Sequence, residues 1–273
     1  FEDGIAEEKV TDETILRLID YPAYFDLLGL PIPDGRAAIL NALKEEKLIE
    51  PCEAGDWNLT TLGVLLFAKN LADFPKLKRK ALRIIHYKGS NRIETQREHI
   101  EHKGYAVGFE GLIGYIMALI PTNEVIGSAL RKSVPMYPEL AIRELLANAL
   151  THQDFQITGA GPMVEIFDNR IEITNPGLPL VSTERFLDTP PKSRNEALAS
   201  LMRRFGICEE RGSGIDKVVS QIELYQLPAP IFEAVEEHTR VVLFSHRDLK
   251  EMDKQDRVWA CYLHACLRYV ERD

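Results

Sequence analysis

The chain is short of several things, and each absence removes a class of function. No apolar run reaches the ~18 residues a membrane-spanning helix needs. The longest, Leu112 to Ile120, is interrupted by Gly114, so a bilayer span is not expected. No secretory leader opens the sequence. Cys52, Cys208, Cys261 and Cys266 are its only cysteines. They are too few and too scattered for a disulfide framework, and a reducing cytoplasm is the expected compartment. Basic charge is also lacking: 33 Lys and Arg stand against 42 Asp and Glu, a net charge of −9. A nucleic-acid footprint shows a basic domain or stripe instead. The deficit is local, with 6 basic and 14 acidic residues in positions 1–70 against 27 and 28 in the remainder. No Gly-x-x-x-x-Gly-Lys-Ser/Thr occurs, which excludes a P-loop motor. No Ser-His-Asp or Cys-His set, internal repeat or low-complexity tract stands out.

What remains is a soluble, globular composition. The 273 residues are 45% apolar and 27% charged, enough for one large or two ordinary domains. The first residue is Phe1 rather than Met, as expected of a fragment of a longer protein. Residues 11–28 read as one helix, and a second runs from about Arg36 to Lys47 after Pro31 and Pro33. Leu48-Ile49-Glu50, a turn at Ala54-Gly55-Asp56, and Trp57-Asn58-Leu59 follow. Two readings stand for this region, a winged-helix-like unit or a small helical cap. Its acidity argues against DNA contact under either. Leu62 to Phe67 extends the same unit, Leu82 to Tyr87 reads as a strand, Gly104 to Gly114 as irregular, and Leu112 to Leu119 as a helix.

The sharpest pattern begins after Pro138, which suits a first helical turn. Ile142, Leu145, Leu146, Ala149 and Leu150 form the stripe of a buried helix face. Glu144, Asn148 and His152 recur at i, i+4, i+8 on another face. An acid and an amide one turn apart can be aimed into one cavity, where magnesium takes oxygen ligands while keeping waters and substrate phosphates. Taken alone, a solvated polar face explains this pattern better. The downstream segment changes the balance. Met163–Phe167 and Arg170–Thr174 alternate around Asp168-Asn169, a two-residue hairpin. Asn175-Pro176-Gly177-Leu178-Pro179 follows, with a glycine that permits close backbone approach. Thr189–Asn195 is polar, basic and long enough for a lid. Arg211-Gly212-Ser213-Gly214 then opens a helix whose free N–H groups suit an anion. Ile231–Val235 and Val241–Phe244 read as closing strands.

This order resembles the Bergerat-type fold of the GHKL ATPases. The wording resembles a divergent HATPase-like branch, often labelled RecG-related or transcriptional regulator, in which a Schlafen-type AlbA_2 domain precedes the module. Tyr137-Pro138, Arg143-Glu144-Leu145, Asn148-Ala149-Leu150, His152, Asn175-Pro176-Gly177, Ser193-Arg194-Asn195, Glu210 and Gly212-Ser213-Gly214-Ile215 carry the resemblance. It implies an α+β helix/mixed-sheet sandwich at 131–248. A helical, winged-helix-like region at 1–70 and a linker α/β segment at 71–130 precede it, and 249–273 is the start of a truncated C-terminal helical (winged-helix) domain. It implies ATP and magnesium as ligands, with Glu144 activating water and Asn148 on the metal. Asn175 and Gly177 would take the base-side loop, and Gly212, Ser213 and Gly214 the phosphate side. His152 and Arg194 become phosphate neighbours. It further implies a homodimerising nucleotide switch with at most slow hydrolysis, directed at DNA through domains absent or truncated here. Asn175-Pro-Gly-Leu-Pro179 departs from the family's Asp-x-Gly-x-Gly, and an amide accepts a hydrogen bond less strongly than a carboxylate. A degenerate module serving as a dimerisation or DNA-associated scaffold is therefore the competing reading. His99 and His102, near His86, lack companion metal ligands, and Cys261, His264 and Cys266 read as core packing.

Overall fold

Capping chemistry divides the N-terminal region more finely than its hydrophobic pattern does. The computed structural model describes residues 1–126, 131–190, 192–208 and 213–270. Strand β1 spans Ile5–Val10, and what reads as one helix over 11–28 is two, α1 (Asp12–Leu18) and α2 (Tyr21–Leu27). Thr11 caps the first, Asp20 caps the second, and Pro22 sits in the second's opening turn. Between them Ile19 bridges to Ala68. Helix α3 (Arg36–Glu45), β2 (Ile49–Pro51) and β3 (Trp57–Thr60) follow, and the strands pair in the order β1-β3-β2. The region is thus more than a helical cap, because a small sheet closes it. Thr60 then caps α4 (Thr61–Phe67), which is buried along its whole length.

The segment 71–130, expected as a linker α/β segment, contributes strands to the large sheet. It supplies β4 (Leu82–Tyr87), β5 (Thr95–Glu101) and α5 (Tyr105–Leu119). Gly104, one of the glycines that suggested an irregular 104–114, instead lets α5 start hard against the backbone of α4, at Leu66. Next come β6 (Thr122–Ile126), β7 (Arg131–Pro135), α6 (Glu139–Thr151), β8 (Met163–Ile166) and β9 (Arg170–Pro176). Helices α7 (Glu196–Arg204) and α8 (Gly214–Leu224), strands β10 (Ile231–Val235) and β11 (His238–Phe244), and helix α9 (Lys254–Val270) complete the order. Among the described residues the large sheet runs β10-β11-β9-β8-β4-β5. It is antiparallel except where β4 lies parallel to β8. That single parallel pairing places the 82–101 segment inside the sandwich. The expected hairpin over 163–174 forms as β8 and β9, with β9 continuing to Pro176.

The fold is an α+β sandwich, with helices over one face of a mixed sheet. One hydrophobic cluster joins Ile15 and Phe67 of the N-terminal region to Leu146, Ile173, Val218 and Leu263. Burial of this kind stabilises by roughly 25 cal/mol per Å² of apolar surface. Tyr24, Phe67 and Phe205 meet edge to face, with Phe67 and Phe205 centroids 5.4 Å apart. Residues 1–70 therefore share a core with α7. Helix α9 also packs on this core through Leu263 and Leu267, so 249–270 does not stand apart as the start of a separate domain. No helix among the described residues is long and apolar enough to cross a membrane.

The sheet's other face carries ion pairs instead of helices. Glu165 and Glu172 sit directly across β8 and β9, both almost fully buried. Like charges so placed repel. Arg92, from the β4–β5 loop, answers both, with Nε 2.6 Å from Glu165 Oε1 and Nη2 2.7 Å from Glu172 Oε2. Arg170 and Arg240 add further contacts to Glu172, and Arg170 lies 3.8 Å from the Phe167 ring centroid. Losing one partner of a fully buried pair costs about 3–5 kcal/mol, and the half-exposed Arg92 reduces this to about 2 kcal/mol. Arg92→Ala is expected to lower the urea-unfolding stability by that amount. Arg92→Lys, which keeps charge without the fork, is expected to lose less. Equal stability in all three proteins would show that the lattice is not structural.

Candidate functional site

Helix α6 is buried on more than its apolar stripe. Ile142, Leu145, Leu146, Ala149 and Leu150 are all inside, and Glu144 on the other face is only 7% exposed. The face carrying Glu144 is therefore packed and not solvated. Asn148 and His152 lie half-buried beyond it. What covers Glu144 is the start of α8. A Cβ added at Gly214 would stand 2.7 Å from Glu144 Oε2 and 3.8 Å from Asn148 Nδ2. Gly214 does not have a positive φ, so what glycine supplies here is room for the Glu144 carboxylate and not a special backbone conformation. Ser213 makes no side-chain cap, which leaves the first N–H groups of α8 without that intrahelical partner. A carboxylate, an amide and a helix N-terminus thus converge, and the positive end of the helix favours the negative charge. The same carboxylate adds to burial in pushing the nearby Cys208 thiol up to about 12. Gly212 and Glu210 lie outside the described residues.

The other end of α6 meets the loop after β9. Asn195 Nδ2 donates to the carbonyls of Thr151 and Gln153, at 2.8 and 2.9 Å, closing the helix C-terminus. The backbone N–H of Asp154 donates to Pro176 O at 2.7 Å. Gly177 has φ +108°, and a Cβ there would lie 2.9 Å from the Asp154 backbone nitrogen. The close approach this glycine permits is to Asp154. Thr239 Oγ1 holds the Gly177 carbonyl at 2.7 Å. Arg194 Nη1 sits 3.2 Å from Asp154 Oδ2, and its Nη2 donates to Leu178 O at 2.8 Å. Residues 192–195, expected in a free lid, are thus anchored in their last two positions, while Pro191 lies outside the described residues. Asn175 is buried and donates Nδ2 to Pro176 O at 3.1 Å. Eight residues along a helix span about 12 Å, which separates Glu144 from this end.

Two clusters result along α6. Glu144, Asn148, Ser213 and Gly214 meet at one, and His152, Asn175, Gly177 and Arg194 surround the other. Asp154 joins the second cluster to the helix and is absent from the expected set. Its one sequence signal is an acid two residues past a helix end, where its carboxylate also accepts the Gln156 N–H. His99 lies instead against the Tyr115 ring, 4.7 Å between centroids, and His264 pairs with Glu223.

Burial, with Arg194 assisting, lowers the His152 pKa below its usual value. The folded protein therefore holds His152 neutral where the unfolded chain begins to protonate. Its contribution to stability is complete above the unfolded value of 6.5. It falls away as pH drops from there towards the depressed folded value. His152→Gln is expected to flatten the fall in melting temperature between about pH 6.5 and pH 5. A profile identical to that of the unchanged protein would show that His152 does not contribute. At the other cluster, Gly214→Ala must turn aside the carboxylate end of Glu144, at a cost of about 1 kcal/mol, the low end of the overpacking range because a side-chain end can shift. Chemical denaturation measures it, and an unaltered midpoint would contradict the contact.

Residues 159–243 match the family described as "Putative ATP-dependent DNA helicase recG C-terminal". This stretch covers Asn175, Gly177, Arg194 and Gly214 and begins after α6. The likeness to that family is confined to this stretch, less than half of the chain. The DIP2311 protein from Corynebacterium diphtheriae has a similar fold, with a TM-score of 0.67 and 18% identity over 99% of this chain. The chain spans about half the length of that structure's chain, 54%. No curated protein matches the sequence.

Proposed function

We propose that this chain is an ATP-binding module of GHKL type that acts as a nucleotide-dependent switch. The observation that carries the reading is the meeting of Glu144 and Asn148 with the N-terminus of α8 at Gly214. The N-terminus of a helix, through its N–H groups and dipole, attracts a phosphate. A polyphosphate drawn there would stand against the Glu144 carboxylate. Two negative groups can share so small a space when a divalent cation lies between them, and this is how the donor set fits magnesium. Magnesium, when bound, neutralises phosphate charge and orients the reacting oxygens. Asn148 would hold it through Oδ1, which a half-turn of the amide brings to face Gly214, and which adds no charge. Glu144 would accept the proton of an attacking water, making hydrolysis a direct phosphoryl transfer to water.

His152, neutral by burial, would donate or accept a hydrogen bond at the phosphates without adding charge. Asn175 and Gly177 would receive the base, with Arg194 beside them. Closure on nucleotide would favour a homodimer, and the output would be a transcriptional or other DNA-directed response. The competing reading is a scaffold that binds no nucleotide. It is favoured by Arg194 and Gly177 being committed to Asp154 within the fold.

Titration with labelled ATP, with and without magnesium, separates the two. Binding is expected, strengthened by magnesium. Asn148→Ala should abolish the magnesium dependence. Glu144→Ala should retain binding and remove turnover. Absence of binding at about millimolar nucleotide, weaker than roughly −4 kcal/mol, favours the scaffold. Turnover surviving Glu144→Ala would exclude its role as base.

A further inference from the structure

A groove far from α6 has chemistry of its own. It has a volume of about 600 Å³ and lies between α9, β10 and the turn at Thr183–Arg185. That volume lies within the usual range for ligand sites. On one wall the Trp259 and Tyr262 rings stack, with centroids 5.4 Å apart and planes 19° apart. Both rings are fixed by bonds made at their polar ends. Trp259 Nε1 donates to Pro230 O at 2.8 Å, and the Tyr262 hydroxyl donates to Glu184 O at 3.0 Å. Stacked on each other, they leave a ligand at most the outer π face of each. Neither ring needs to be ordered on binding, so little of the usual entropy cost falls there.

Among the described residues the charged side chains that line the groove are Glu184, Asp253 and Asp256, with Arg247 beside Asp256 and Arg185 near Tyr262 at its margin. Asp253 caps α9 through Oδ1, and Asp256 lies 3.7 Å from Arg247, a loose pair. Aromatic faces beside carboxylates select a cation with an apolar stem. The third wall sets the shape of the occupant. Phe232 belongs to β10, which pairs only with β11 and forms an edge of the large sheet among the described residues. An edge strand offers backbone hydrogen bonds to an extended segment.

We propose that this groove docks a basic peptide segment of a partner protein. An arginine side chain would lie over Trp259 and Tyr262, with its guanidinium answering Glu184 and Asp256. The segment's backbone would run along β10. This site is independent of nucleotide binding at α6.

The test is fluorescence anisotropy of a fluorescein-labelled peptide alternating arginine with valine. It is titrated with the full chain at about 0.15 M salt, where distant surface charges are screened. Saturable binding in the micromolar range is expected. The double variant Glu184→Gln with Asp256→Asn should weaken it by at least about tenfold. Glu7→Gln with Glu8→Gln removes the same charge from exposed positions of β1 and should change it less than about twofold. The proposal fails if binding does not saturate or if both double variants weaken it equally. It fails also if a peptide with glutamate for arginine binds as well. Circular dichroism of each variant confirms that the fold is retained.

Discussion

The contact on which the candidate site depends is the burial of Glu144 against the first turn of α8. A carboxylate taken out of water is costly unless something answers its charge. Here a helix N-terminus lies close enough to do so, because residue 214 has no side chain. The same contact fixes how α6 and α8 pack, since both helices also bury apolar stripes in the shared core. An acid held in this way is oriented before any ligand arrives. Its place beside a helix N-terminus is what the proposed phosphate and magnesium site would use.

The far end of α6 is built on a different principle. Its last carbonyls are closed by Asn195, and the loop after β9 is drawn in through Asp154, Gly177 and Arg194. Helix α7 begins at the next residue, and its first N–H groups are met by the carboxylate of Glu2. The end of α6, the loop, α7 and the N-terminal segment are therefore bonded in series. A rearrangement of Asp154 or Arg194 would be felt at α7, whose Phe205 packs on Tyr24 and Phe67. This is a physical route by which the sandwich and residues 1–70 are coupled through a shared core.

Some of this was readable in the chain and some was not. The stripe of α6, the hairpin at Asp168-Asn169 and the closing strands follow from local periodicity and turn residues, and they form where expected. The irregular reading of 104–114 failed because four glycines suggested a loop, whereas packing against α4 selects a helix. Leu82 to Tyr87 was legible as a strand, but its place in the large sheet was not, because a parallel pairing between β4 and β8 leaves no local mark. Glu144 read alone as a solvated residue, since nothing near it in sequence covers it. The residue that covers it is Gly214, brought there only by the fold.

The sequence by itself determined the class of elements, the absence of a P-loop, and the grouping of an acid and an amide one turn apart on α6. Those are consequences of periods of two and of 3.6 residues and of side-chain type, which act over a few positions. Tertiary structure decided that Glu144 is buried, that Gly214 faces its carboxylate, and that Asp154 joins the end of α6 to the loop after β9 and to Arg194. It also decided that Arg92 lies between two facing glutamates. Each of these depends on residues tens of positions apart whose proximity comes from strand pairing and helix packing. No local pattern encodes such distances, so the pairs that matter most here became visible only when the sheet had been assembled.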